Sequence, residues 1–266
     1  MTKDNLELLV FHRSLAQDIG CIEGGADGII VDLETRGKSD RQQGYNTQIN
    51  HHSINDIVQL KETTNSYVIC RINSLNNHSK HEIDNVIAAG ADEILVPMIK
   101  TESDVEHILA FIDNRIKMGI LIETKEAVNI AHYLDQYRLS RIYVGLNDLH
   151  ISRQSISIFS AFIDGTVEKI RQSINNTPFG FAGLTIPGKG DPLAVEHITH
   201  ELARLNSNFT FLRRSFFNDT ENKHAAIEIP RILEAFKQAK KRSTSTVQYD
   251  QQKLHQAIHS ILLKIT

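Results

Sequence analysis

The sequence predicts an α/β fold, a single (β/α)8 barrel of the TIM type with an extra C-terminal helix, and three observations predict it. Apolar runs rich in β-branched residues alternate with segments of helical period almost from end to end, the pattern of parallel strands covered by helices. Eight such repeats fill roughly 240 residues, the stoichiometry of a closed barrel. Two of the runs, 118–122 and 142–144, stop at or near a carboxylate: Glu123 and, after a Gly-Leu-Asn bend, Asp148. In a parallel strand–helix–strand unit the carboxyl ends of successive strands lie side by side, so these two acids should face each other at one rim.

The elements follow in order. Residues 6–11 read as the first strand and 14–23 as a helix that stops at Gly24-Gly25. The second strand, 28–33, ends in Glu34 and opens a long polar connection, 35–50, of a length that usually carries function or is mobile. A short helix, 53–61, leads to the third strand, 66–72, and a helix ending at 89 stops at Gly90, where a left-handed cap is expected. The fourth strand, 93–97, closes at Pro97, which cannot donate to a ladder. Thr101 or Ser103 can cap the helix 102–115. The fifth and sixth strands flank an amphipathic helix, and a loop is expected over 151–157 before a helix near 160–174. The seventh strand, 179–186, closes with Pro187-Gly188-Lys189-Gly190-Asp191-Pro192. After a helix over 193–206, the eighth strand, 209–214, runs into Ser215, and the last barrel helix spans 222–241.

The barrel is thus assigned to residues 1–242, a Ser/Thr-rich linker to 243–249 and an amphipathic helix to 250–266. Leu254, Ile258, Ile261, Leu262 and Ile265 share one face of that helix. The face must be buried on the barrel or on a second subunit, and a homo-oligomer formed through it is expected.

A net charge of −3 and a pI near 6.5 argue against a nucleic-acid or membrane-surface binder, which would carry a strong basic excess. Cys21 and Cys70 have no CxxC spacing, which argues against a disulfide framework or a zinc ligand set. With no secretory h-region and no long apolar run, a cytoplasmic location is expected. His51-His52 and His255/His259 read as surface residues.

Chemistry in such barrels gathers at the carboxyl ends of the strands. The candidates there include His12, Asp32, Glu34, Arg71, Asn73, Glu123, Asp148, His150 and Arg213-Arg214. Two carboxylates facing one another at an apolar rim repel and are costly to desolvate, unless a cation sits between them or one keeps its proton. Two oxygen-bearing side chains, with other positions left to water and substrate, suit Mg²⁺ or Mn²⁺. Taken singly, Glu123 and Asp148 could each merely cap a helix or turn. Arg71 could grip a substrate carboxylate bidentately or pair internally with Glu34 or Glu123. Arg213 and Arg214 alternate sides on a strand, so at most one points to the axis. With the glycine-rich turn after the seventh strand it would form a phosphate-type site.

Five segments carry a resemblance: Gly-Ala-Asp-Gly-Ile-Ile-Val-Asp-Leu-Glu (25–34), Cys-Arg-Ile-Asn-Ser (70–74), Gly-Ala-Asp-Glu-Ile-Leu-Val-Pro-Met (90–98), Ile-Glu-Thr-Lys-Glu-Ala-Val (122–128) and Gly-Leu-Asn-Asp-Leu (145–149). In this order they resemble the strand motifs of the metal-dependent 2-oxo-acid aldolases of hydroxy-oxo-heptanedioate type and of the citrate lyase β chain with its malyl-CoA lyase relatives. The likeness covers residues 6–150 and fades beyond. It implies a (β/α)8 barrel handling pyruvate, acetyl or glyoxylate-like fragments on Mg²⁺ or Mn²⁺. Glu123 and Asp148 would be the metal-binding acids and Arg71 the group that steadies the enolate oxygen. The backbone of Gly145, Leu146, Asn147 and Asp148 would cup the substrate carboxylate.

The chain also departs from that pattern. Thr35 stands where the aldolases carry histidine and the lyases aspartate. The aldolases' acidic partner for that histidine falls near Ala88, and Met98 replaces the lyases' lysine. The expected function is a metal-dependent carbon–carbon lyase or aldolase acting through the enolate of a small 2-oxo acid or an acyl substrate such as a CoA thioester. His12, His150, Glu34 or a metal-bound hydroxide would move the proton. Two alternatives stand beside it: a non-catalytic or sensing barrel that keeps the metal and 2-oxo-acid site, and an enzyme for a phosphorylated or sugar-derived substrate.

Overall fold

In the computed structural model, which describes residues 5–36, 52–220 and 225–265, eight parallel strands close into one barrel in sequence order. They are β1 (Glu7–Phe11), β2 (Gly28–Asp32), β3 (Val68–Arg71), β4 (Glu93–Val96), β5 (Lys117–Ile122), β6 (Arg141–Val144), β7 (Phe179–Leu184) and β8 (Phe209–Leu212). Glu7 opposite Phe209 closes the ring. The expected strands are all present, most of them shorter at their ends than the apolar runs that announce them.

Strand side chains alternate sides, and the alternation sorts the core into two layers. Leu9, Ile30, Ile69, Leu95, Leu121, Tyr143, Phe209 and Phe211 fill the barrel interior. Their neighbours Leu8, Val10, Ile29, Val31, Ile94, Val96, Ile120 and Ile122 face out beneath the helices. Each fully buried aliphatic contributes roughly 1.5–3 kcal/mol relative to exposure.

The covering helices are α1 (Leu15–Glu23), α2 (Ile54–Thr63), α3 (Ser79–Ala88), α4 (Glu102–Ile112), α5 (Lys125–Leu134), α6 (Leu146–Arg153), α7 (Ser160–Ile163), α8 (Thr166–Ser173), α9 (Val195–Arg204), α10 (Phe216–Asp219), α11 (Ala225–Lys240) and α12 (Thr244–Leu262). Thr101 and Asp104 form a capping box at α4, and Gly90 takes the left-handed conformation expected after α3, at φ +92°. Among the described residues no helix is long and apolar enough to cross a membrane.

Three expectations are corrected. The segment 151–157 is not a loop throughout, because α6 runs to Arg153 and ends at Gln154 with φ +52°. Asp148 in its first turn and Arg153 in its last both suit the helix dipole. The helix expected near 160–174 breaks at Asp164-Gly165, where Gly165 sits at φ +76° and Asp164 Oδ1 accepts from Thr166 N at 2.9 Å. The segment 243–249 is no linker: Ser243 is the N-cap of α12, its hydroxyl accepting from Thr246 N at 3.2 Å. The Ser/Thr composition that suggests a linker is here a helix start.

Helix α12 lies on α9 and α7 of its own barrel, with Leu254 and Ile258 buried and Arg242 bonded to Asp250 and to the His200 carbonyl. The barrel therefore already covers the middle of the apolar face, while Leu263 and Ile265 at its end are exposed.

At the amino-terminal end of the barrel a buried ionic network closes the interior. Arg141 grips Glu93 bidentately (2.8 and 3.0 Å), reaches Glu7 at 3.3 Å and lies over the Phe209 ring, while Tyr67 donates to Glu93 at 3.0 Å. Glycine at 119 leaves the room: a Cβ there would stand 2.7 Å from Arg141 Cγ and 2.8 Å from Glu93 Oε1.

Candidate active site at the carboxyl-terminal rim

One more step of the inward alternation, past the interior layers, reaches Phe11, Asp32, Arg71, Glu123, Gly145 and Arg213. A cavity of about 610 Å³ opens there. It is lined by Arg71, Glu123, Gly145, Leu146, Asn147, Asp148, His150 and Arg213, eight of the ten residues expected from the sequence. Glu34 and His12 are not among its walls.

Glu123 is the most constrained of these. Its carboxylate is buried, Oε1 accepting from Met98 N at 2.9 Å, and Oε2 lies so close over Gly145 that a Cβ there would be 2.7 Å away. Met98 holds φ +56°, a costly conformation for a side-chain-bearing residue, and its N–H serves Glu123. Burial, with the nearby carboxylates of Asp148 and Glu34, pushes Glu123 up to about 8 against the pull of Arg71 and the Met98 N–H. Asp148 is buried in the first turn of α6, so the two acids do share one cavity.

Arg71 pairs internally, but chiefly with neither of the partners foreseen for it. Asp32 accepts from its Nε at 2.8 Å and from one terminal nitrogen at 2.7 Å, while Glu34 stands 3.6 Å from Nε and the Phe11 ring lies 5.2 Å below. Burial opposes the charge, and Asp32 with Glu34 and Glu123 more than offsets it, so the guanidinium is held firmly protonated. The sequence places Asp32 at the rim without a role. The signal that finds one is parity: Asp32 follows Ile30 on the inward side of β2 as Arg71 follows Ile69 on β3, and the two are register partners.

His12 is engaged elsewhere. Its Nδ1 lies 2.6 Å from Asp18, its Nε2 3.7 Å from Asp56, and its ring stands edge-on to His52 at 5.0 Å. His52, expected at the surface, is half-buried and accepts the Asp32 N–H through Nδ1 at 2.9 Å; His51 lies outside the described residues, as does most of the polar connection 35–50. The bond to Asp18 raises His12 above its ordinary value despite burial, whereas burial and the neighbouring His12 lower His52.

A pH dependence of stability follows. A histidine whose folded value exceeds its unfolded one stabilises below the unfolded value, 6.5, and loses that contribution as pH rises through the raised one. In denaturant titrations from pH 5 to 8, Asp18→Asn should remove this alkaline loss.

Thr35, at the departing position, donates its N–H to Asn73 Oδ1 at 2.9 Å, and Asn73 in turn donates to Glu82 at 2.8 Å. Ala88 falls at the far end of α3 and is exposed, on the opposite side of the barrel from the rim. A helix after a strand runs back towards the amino-terminal face, so α3 offers the rim its first turn, where Glu82 sits. His150 lines the cavity with Nδ1 2.9 Å from Ser155 Oγ, and burial lowers it below its ordinary value. Tyr143, not singled out from the sequence, forms part of the cavity wall, stacked on Phe211 at 3.9 Å.

The sequence profile of the HpcH/HpaI aldolase/citrate lyase family matches residues 11–156. No curated protein matches in sequence. Among solved structures, the citrate synthase SbnG is 18% identical, over 82% of this chain and 91% of its own, with a TM-score of 0.58. A citrate lyase from Burkholderia xenovorans LB400 is 13% identical, over 96% of this chain and 82% of its own, at 0.59. The 3-hexulose-6-phosphate synthase of Salmonella typhimurium is 12% identical, over 88% of this chain and 100% of its own, also at 0.59. At these identities the likeness is one of fold.

Proposed function

Because the chain belongs to the HpcH/HpaI aldolase/citrate lyase family, we propose that it is a divalent-metal-dependent carbon–carbon lyase or aldolase acting through the enolate of a small 2-oxo acid or acyl thioester. The observation that carries this reading is the pair of buried carboxylates, Glu123 and Asp148, under one cavity, with Glu123 pushed up to about 8. Such an arrangement is relieved by a cation. Among the described residues no group of three or more acids, histidines or cysteines converges as a metal cage. Two carboxylates opening on a cavity fit Mg²⁺ or Mn²⁺, which leave their other positions to water and substrate oxygens.

Glu123 and Asp148 would hold the ion, which when bound supplies Lewis-acid stabilisation of the enolate charge. The protein's own groups do the rest. Gly145 has no side chain to cap α6, so the N–H groups of Leu146 and Asn147 are open to a substrate carboxylate at the positive end of the helix dipole. Arg71, oriented by the Asp32 fork, presents its charge to the developing oxyanion. Of the sequence candidates for proton transfer, His150 is the histidine in the cavity wall, and its lowered value leaves it neutral and able to accept a proton at physiological pH. Glu34 stays behind Arg71 as a positioning group, and a second subunit contacting the exposed end of α12 completes the proposal.

Exchange of the pyruvate methyl protons in D₂O, followed by NMR with Mg²⁺ or Mn²⁺, tests enolate formation without needing to know the acceptor. Metal-dependent exchange is expected, as is cleavage of a 4-hydroxy-2-oxo acid or β-hydroxyacyl thioester. Silence in all of these with metal uptake intact would instead mark a sensing or structural barrel. His150→Gln should slow exchange by about 10²- to 10⁴-fold with metal affinity preserved. Gly145→Ala, whose Cβ would collide with the Glu123 carboxylate, should weaken metal affinity by roughly 10- to 100-fold in calorimetry while the fold survives.

A further inference from the structure

Asp32 is held from two sides. Its carboxylate takes both Arg71 bonds, and its backbone N–H donates to His52 Nδ1 at 2.9 Å. The second bond follows from where the strands end. The N–H groups of Ile29 and Leu33 donate to the Tyr67 and Arg71 carbonyls on the β3 side, so that of Asp32, by alternation, points towards β1. There β1 ends at Phe11, opposite Ile30, and the ladder stops short of Asp32. The His52 ring stands in for the missing strand carbonyl, accepting from a residue that is 1% exposed.

A backbone N–H can only donate, so His52 Nδ1 is bare and Nε2 carries the ring proton. An imidazolium, protonated on both nitrogens, cannot make this bond. The ring is placed by the start of α2: His52 precedes Ser53, whose N–H donates to Asp56 Oδ2 at 2.6 Å. Around it stand His12 at the end of β1, edge-on at 5.0 Å, Asp18 of α1, Asp32 of β2 and Asp56 of α2. Burial and then His12 favour the neutral ring over the pull of the three carboxylates, which keeps His52 in the accepting form. Asp18, 2.6 Å from His12 Nδ1, favours His12 as the site of the pair's proton.

What happens at His52 reaches the cavity through two bonds. Arg71 lines the cavity with its guanidinium in the Asp32 fork, and Glu34, 3.6 Å from Nε, is too far to take the fork's place. A shift of the Asp32 backbone therefore turns the guanidinium.

We infer that His52 is a positioning residue: neutral, it locks the Asp32 backbone and so aims Arg71, and on gaining a proton it lets the fork go. The inference rests on the aldolase or lyase reading above for its effect on turnover, whereas the hold on Arg71 is measured without it. In the full chain, the Arg71 Nε–H signal in ¹⁵N NMR, identified by its absence in Arg71→Met, reports the fork, and pyruvate proton exchange at saturating Mg²⁺ reports its use. His52→Asn keeps an acceptor and does not titrate, while His52→Leu fills the space of the ring and accepts nothing. At pH 7.5, His52→Leu should displace or broaden the Arg71 signal and lower kcat roughly tenfold or more, with KM and Mg²⁺ affinity within about twofold. His52→Asn should keep the signal and stay within about threefold of the wild-type kcat. As pH falls, the wild type should lose the signal over the range in which the His52 ring nitrogens titrate, and His52→Asn should keep it. If His52→Leu does not fold, this titration decides alone. A merely structural histidine would move the denaturant midpoint and leave the Arg71 signal in place. An Arg71 signal unchanged in His52→Leu, lost equally in both variants, or unmoved while His52 titrates would overturn the inference. The expected Arg71 behaviour in a protein that exchanges no proton would remove the enolate reading and keep the hold of His52 on the fork.

Discussion

Glu123→Gln is expected to abolish metal uptake and to reduce pyruvate proton exchange by at least about 10³-fold, the scale of losing a principal electrostatic stabiliser. The same variant should be more heat-stable than the wild type in cation-free buffer. Glu123 is pushed up to about 8 by burial and by Asp148 and Glu34, so between its ordinary 4.5 and about 8 the folded protein binds more protons than the unfolded chain. Stability of the metal-free wild type therefore falls as pH rises through that window, and glutamine removes the fall. Thermal unfolding at pH 6 and pH 8, with and without Mg²⁺, reads both effects. Cation binding should release protons below pH 8 and so tighten as pH approaches that value. A Glu123→Gln protein less stable than the wild type at pH 8 without metal would contradict this electrostatic account.

Asp32→Asn should have the second largest effect, and on two observables. It leaves the Arg71 guanidinium, 14% exposed, without the carboxylate fork that holds it, and Glu34 at 3.6 Å is too distant to replace both bonds. Breaking a buried pair on one side costs about 3–5 kcal/mol, measurable as a lower denaturant midpoint with unchanged slope. Exchange activity should fall as well, because Arg71 loses its aim. Adding Arg71→Met should restore much of the stability and none of the activity. If the double variant regains activity, Arg71 is not the oxyanion group.

The fold was legible because eight apolar runs and their intervening helical periods survive in the sequence with little interruption. Glu123, Asp148 and Arg71 were legible as charged residues at the ends of apolar strands, and their common cavity follows from parallel topology alone. What escaped depends on contacts between distant segments. Asp32 was visible, but its claim on Arg71 is a cross-strand register fact. His12 looked like a base at a strand end until Asp18, a turn into α1, was found to hold it. Met98 looked like a lost lysine, yet what matters at that position is its backbone N–H on Glu123. The start of α12 was misread because serine and threonine mark linkers and helix caps alike.

The ionic seal beneath Phe209 bears on the order of events during turnover. With Arg141, Glu93 and Glu7 locked below the aromatic layer, the barrel interior is plugged at its amino-terminal end, and the cavity with Glu123, Arg13 and Phe217 in its wall lies at the other. On the proposed aldolase reading, both reactants then share one entrance at the carboxyl-terminal rim and meet in one complex, so double-reciprocal plots for the condensation direction are expected to intersect rather than run parallel.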